Sequence, residues 1–127
     1  MKAQVAIEFM IIFGVFLVAI TVTVLAAWNS MANTNKSSID FEANGILNTI
    51  SNKINTAFLE GHGFSTNLTI PENIMNYNYT LTREGNMMWL NIENLVYSRR
   101  LLTNNITGNF DKGVRMLENV NGEIVIS

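Results

Sequence analysis

Hydrophobic positions are spread very unevenly along this chain. From Phe9 to Trp28 it reads FMIIFGVFLVAITVTVLAAW, an uncharged run broken only by Gly14, Thr21 and Thr23. A helix of about 20 residues rising ~1.5 Å per residue covers ~30 Å, the thickness of a bilayer hydrocarbon core. Its β-branched residues do not argue against helix, because a single segment in lipid satisfies its backbone hydrogen bonds in no other form. The run predicts a membrane-spanning helix. Asn29 to Ser38 follow as a polar stretch that is unfavourable for an isolated helix, with Ser37 or Ser38 suited to cap a new start. An apolar period then resumes at Ile39, Ala43, Ile46, Ile50, Ile54 and Ala57 in steps of three and four, and stops at Gly61-His62-Gly63. Two readings stay open: one helix of about 55 residues and ~80 Å from about Val5 to Glu60, or a helix that kinks near residues 29–38. Continuity with a bend is the favoured one.

Beyond residue 61 the period changes to that of strands. Asn76–Thr82 alternates, with Tyr77, Tyr79 and Leu81 on one face and Asn76, Asn78, Thr80 and Thr82 on the other. Glu84-Gly85-Asn86 predicts a turn, and Met87–Ile92 and Leu95–Leu102 predict extended segments after it. Thr66–Ile70 before Pro71 is a further strand, and Asn121-Gly122 between Val114–Val120 and Glu123–Ser127 is the strongest short-range hairpin signal in the chain. Five or six short strands against one amphipathic helix face define an α+β fold, in which a long N-terminal hydrophobic helix packs on a small antiparallel β-sheet head.

Composition sharpens this division. The chain has 127 residues, 48% hydrophobic and 14% charged, with a net charge of -2, one proline and no cysteine. Residues 1–28 hold 22 hydrophobic residues and residues 29–127 hold 39, so the excess sits at one end. These totals exclude a disordered tail and a disulfide-stapled module, give no electrostatic reason to expect nucleic-acid binding, and leave room for one domain of about 100 residues plus an apolar appendage. A removable secretory signal is a poorer account of the apolar run, which exceeds the ~7–15 residues of such a segment and has Glu8 where a basic region belongs. Lys2 and the initiating amine favour a cytoplasmic N-terminus, which puts residues 29–127 outside the cell.

Glu8 is the only charge from Ala3 to Ser30. A carboxylate beside continuous apolar sequence is costly without a partner, which marks the position as functional; alone it would also fit a solvated place at the headgroups. Its neighbours decide between these. The stretch Lys2-Ala3-Gln4-Val5-Ala6-Ile7-Glu8-Phe9 resembles the processing site of archaeal type IV pilins with class III signal peptides. In that family a short basic leader ends in a small residue, cleavage precedes a glutamine, and glutamate is fifth in the mature chain. The leader Met1-Lys2-Ala3 is very short, and Ala6 stands where serine is common.

The resemblance implies a pilin-like organisation: leader 1–3, N-terminal helix 4–60 whose part 4–28 is stored in the membrane and later forms a filament core while 29–60 packs on the head, and β-rich head 61–127. It implies cleavage between Ala3 and Gln4 by a membrane-embedded prepilin peptidase. It also implies polymerisation of the chain with copies of itself, by an ATPase-driven platform, into an extracellular adhesive filament. Cleavage would leave a positively charged α-amine at Gln4, which the Glu8 carboxylate of a neighbour, or of the same subunit, would neutralise in the core. Because an unpaired buried charge costs several kcal/mol, roughly 3–5 on removal of one partner, that pairing would act as a register device. Phe9, Phe13 and Phe16 share one helix face by their spacing and fit packing against neighbouring helices, whereas Gly14 lacks a second small residue at GxxxG spacing.

Catalysis has little to work with. His62 is the only histidine, in a loop; thiolate chemistry is excluded; Asp40, Glu42, Glu60 and Glu72 are scattered without metal-ligand spacing; and Arg99-Arg100 reads as a solvated pair on a strand edge. No cofactor, metal or catalytic residue is expected. Asn35, Asn67, Asn78 and Asn105 stand in Asn-X-Ser/Thr sequons on the outward side, and heads of the resembled family are often N-glycosylated. The rival readings are a non-polymerising signal-anchored surface protein with a small binding head, a minor pseudopilin-like subunit, and a membrane-tethered extracytoplasmic enzyme. An archaellum filament protein fits the motif less well.

Overall fold

A computed structural model describes residues 1–127, the side chains of Lys2 and Ala32 excepted. The orientation signal expected from Lys2 therefore lies outside the described side chains. The chain forms two compact units, Met1–Ser38 and Ile39–Ser127, and helix α1 (Lys2–Glu60) contributes to both.

In the first unit every described residue from Ala3 to Ser37 is exposed. The helix is long and apolar enough to cross a membrane. Its two threonines suit that environment, because the hydroxyls of Thr21 and Thr23 donate to the carbonyls of Leu17 and Ala19, each at 2.8 Å. Neither needs water to be satisfied. Residues 29–38 are helical, so neither Ser37 nor Ser38 caps a new start. The hydroxyls there serve the same helix: Thr34 donates to the carbonyl of Ser30 at 2.9 Å and Ser38 to that of Thr34 at 3.0 Å.

In the second unit the helix buries Ala43, Leu47, Ile50, Ile54 and Ala57 completely. Leu47 takes a central place that the expected stripe left out, while Ile39 and Ile46 sit at its margin. The helix ends at Glu60, where Gly61 and Gly63 adopt φ of 86° and 89°, a left-handed geometry costly for other residues.

Seven strands follow: β1 (Ser65–Ile70), β2 (Thr80–Glu84), β3 (Met87–Ile92), β4 (Leu95–Arg100), β5 (Ile106–Gly108), β6 (Gly113–Val120) and β7 (Glu123–Ile126). They make a sheet ordered β1-β6-β7-β5 and a second ordered β2-β3-β4. All neighbours are antiparallel except β5 and β7. The head is thus α+β, as its sequence pattern predicts, but with two sheets and one parallel pair. Inward side chains of both sheets, among them Leu68, Leu90, Leu117 and Ile124, join the buried helix stripe in one core.

Three local differences from the sequence reading have physical causes. The strand expected from Asn76 starts only at Thr80, because Ile74 and Tyr77 exchange backbone hydrogen bonds of 3.0 and 2.8 Å around Met75 and Asn76, both left-handed at φ 46° and 68°. Tyr77 is consequently exposed, Tyr79 buried, and Asn78 off the strand. β4 stops at Arg100: the Leu101 N–H still bonds in register to the Asn86 carbonyl at 2.7 Å, but the Leu102 N–H turns away to the Asn55 side-chain oxygen at 2.9 Å. The short β5 was not anticipated.

Candidate functional site

The N-terminal motif lies in the first turns of α1, with Ala3, Gln4 and Glu8 all exposed. Gln4 and Glu8 are four residues apart and so share a helix face. Among the described residues nothing hydrogen-bonds or ion-pairs with the Glu8 carboxylate within the chain. Phe9 and Phe13 stack along the helix, ring centroids 6.1 Å apart and planes inclined by 14°. Phe9, Phe13 and Phe16 remain 67%, 51% and 61% exposed. The structure therefore leaves a continuous apolar surface, beginning one residue after Glu8, with no cover from its own chain. At roughly 25 cal/mol per Å² such a surface is strongly driven out of water, into lipid or against other helices.

The sequons are accessible. Asn67 lies on the edge strand β1, and Asn35, Asn78 and Asn105 are likewise exposed. Asn67 and Thr69 alternate onto one face of β1. The Asn67 carbonyl accepts from Lys53 Nζ. The Asn78 side-chain oxygen accepts from Lys112 Nζ at 3.4 Å, and the Asn105 carbonyl accepts from the Ile124 N–H at 2.9 Å.

Charged and polar groups elsewhere in the head are mostly structural. His62 Nδ1 accepts from the Asn121 N–H at 3.1 Å, tying the loop after α1 to the last hairpin. Arg99 and Arg100 are exposed on β4, an edge strand. Among the described residues no three His, Cys, Asp or Glu side chains assemble as a metal site. Asp40, one of the scattered carboxylates, meets the Tyr97 hydroxyl, which donates to it across the helix–sheet contact. No local signal in the sequence joins residues 57 positions apart.

Two phenols are held neutral. Burial, then the hydrogen bond and negative charge of Asp40, push Tyr97 from 10.0 up to about 12. Burial, then the charge of Glu72, does the same for Tyr79, whose hydroxyl donates to the Pro71 carbonyl. Between pH 10 and 12 the folded head thus retains protons that the unfolded chain gives up. The associated stability is fully present below pH ~10 and falls as pH rises toward 12. Phenolate absorbance should show two late titrations that Tyr79→Phe and Tyr97→Phe remove one at a time; complete ionisation by pH ~11 would contradict the assignment.

Comparison of the chain with protein-family models, with curated proteins and with solved structures finds no match.

Proposed function

We propose that this chain is a pilin-like structural subunit. It is held in the membrane as a precursor with its N-terminus inside. A prepilin peptidase cuts it between Ala3 and Gln4, and an assembly platform polymerises it into an extracellular adhesive filament. The observation that carries the reading is the uncovered apolar helix that starts directly after the Lys2–Glu8 motif. A surface of that extent needs either lipid or copies of itself, and a precursor that becomes a filament uses the two in turn. Copies would meet in heterologous contacts, which propagate into an open helix. N-linked glycans at Asn67, Asn78, Asn105 and Asn35 belong to the same reading, because these positions would face outward.

The test is N-terminal sequencing and intact-mass measurement of sheared surface filaments. A chain beginning at Gln4 is the expected result, with mass increments wherever sequons are used. Finding the protein only as an uncut Met1 species in membranes would replace this reading with that of a signal-anchored, non-polymerising surface protein.

A further inference from the structure

Residues 109–112 join β5 to β6. They lie between Gly108 at φ 108° and Gly113 at φ 109°. A Cβ on Gly108 would come within 2.0 Å of the Ile126 carbonyl oxygen, so the start of the segment is pinned against β7. Phe110 packs on the head core. Asp111 pairs with Arg115 at 3.3 Å, and Lys112 Nζ stands 5.0 Å from the centre of the Tyr79 ring. Facing this segment is β2, which pairs only with β3. Between them runs a trough of two adjoining lobes, of about 350 and 360 Å³, that share Leu81, Phe110 and Asp111.

An unpaired strand edge beside a trough ordinarily invites a peptide to add as a further strand. Here both ends of the edge are crossed by side chains. Arg83 reaches from β2 to the carbonyls of Ile106 at 2.8 Å and Asn104 at 3.4 Å, and Lys112 reaches back to Tyr79 and Asn78. A through-running strand is blocked, so the trough suits a compact ligand. Both crossing groups are cations with neutral partners only, and the carboxylate in the trough, Asp111, is already paired with Arg115. Among the described residues no carboxylate lies within ion-pair reach of Arg83 or Lys112. Counting the Glu72 charge that acts on Tyr79 as well as Asp111, the cations Arg83, Lys112 and Arg115 leave an excess of one positive charge. The floor, Leu81 and Phe110, is apolar, while Asn109 and Asp111 offer polar edges. A pyranose ring combines an apolar C–H face with a hydroxyl-bearing rim, which is the complement of such a surface.

We propose that this trough binds a carboxylate-bearing sugar unit of an acidic polysaccharide, with Lys112 taking the carboxylate and Asp111 and Asn109 the ring hydroxyls. The site belongs to the head alone and needs neither cleavage nor polymerisation, so it goes beyond the filament reading.

The full chain in detergent micelles, ¹⁵N-labelled, is titrated separately with trigalacturonate, maltotriose and inorganic phosphate. Trigalacturonate should give saturable shifts at the Leu81, Phe110 and Asp111 amides. Maltotriose should bind at least tenfold more weakly, and phosphate should fail to reproduce the shifts. Lys112→Gln should weaken trigalacturonate at least tenfold at an unchanged unfolding midpoint, Lys112→Arg should restore it, and Lys53→Gln should leave it unaltered. Equal affinity for maltotriose, the same shifts from phosphate alone, undiminished binding by Lys112→Gln or absence of binding would each overturn the proposal. Because binding is read on unassembled subunits, its failure leaves the N-terminal sequence of filaments untouched as a separate test.

Discussion

Replacing Asn119 by leucine is expected to lower the unfolding free energy of the head by about 3–5 kcal/mol, from one stranded buried carbonyl, one half-buried N–H that loses its acceptor, and overpacking by the bulkier side chain. Asn119 is fully buried, on β6. Its side-chain Nδ2 donates to the Ala57 carbonyl at 2.8 Å, and its Oδ1 accepts from the Gly122 N–H at 2.9 Å. Ala57 belongs to the last turn of α1, where carbonyls have no partner within the helix. Gly122 belongs to the Asn121-Gly122 turn. One amide thus closes the helix end and fixes the final hairpin. The backbone of the same residue exchanges hydrogen bonds of 2.9 Å with Gly63 and Phe64, so the loop between helix and sheet is held there as well. Leucine matches asparagine in branching but is bulkier and has neither hydrogen-bonding function, leaving the Ala57 carbonyl unsatisfied in the core and the half-buried Gly122 N–H without its acceptor. Urea unfolding followed through Trp89 fluorescence, in a Trp28→Phe background, measures the loss. A midpoint unchanged from the parent would show that these bonds contribute nothing net.

The two ends of the chain meet different physical demands. The head closes its own core: Ala43, Leu47, Ile50, Ile54 and Ala57 have no exposed surface once the strands are in place. The segment from Ala3 to Trp28 closes nothing, and all its described residues stay exposed. The 48% hydrophobic content is therefore an average over a self-sufficient domain and a surface awaiting another environment.

Features governed by local chemistry were legible in the sequence. The helix stop at Gly61, the β3 span Met87–Ile92 and the Asn121-Gly122 hairpin all rest on adjacent residues, and each stands where the pattern placed it. The turn at Met75-Asn76 was not legible, because methionine is a poor residue for a left-handed position and the adjoining alternation of tyrosines imitates a strand. β5 escaped for a different reason. It is three residues long, and its parallel partner β7 lies beyond an intervening strand, so only tertiary pairing defines it. Asn119 was hidden among 19 asparagines, most of them at the surface, with nothing to mark it as the buried one. The two proposed sites divide in the same way: the Lys2–Glu8 motif is contiguous in the sequence, whereas the trough is assembled from residues 79–83 and 108–112, which only the fold brings together.

Glu8→Ala is expected to leave the protein inserted in the membrane and cleaved after Ala3, yet to reduce filament yield by a factor of ten or more. Insertion depends on the apolar run Phe9–Trp28, and the substitution removes the only charge between Ala3 and Ser30, directly beside that run, so the membrane-held form is favoured if anything. Assembly is another matter. In the proposed filament each subunit brings one α-amine, at Gln4, and one carboxylate, at Glu8, into an apolar core. Removing the carboxylate leaves one buried positive charge per subunit without a partner, a loss of about 3–5 kcal/mol. Because the penalty recurs at every addition, ~3 kcal/mol raises the concentration of subunits needed for growth roughly a hundredfold. Glu8→Gln separates charge from shape: it keeps the length and hydrogen-bonding capacity of the side chain, so a charge-based register device requires it to fail nearly as badly as alanine. Glu8→Asp retains the charge on a shorter arm and should retain part of the yield. Sheared-filament yield, with the membrane-bound pool and the extent of cleavage measured in the same cells, reads all three variants. Normal filaments from Glu8→Ala would show that the carboxylate is merely solvated at the membrane surface and sets no register.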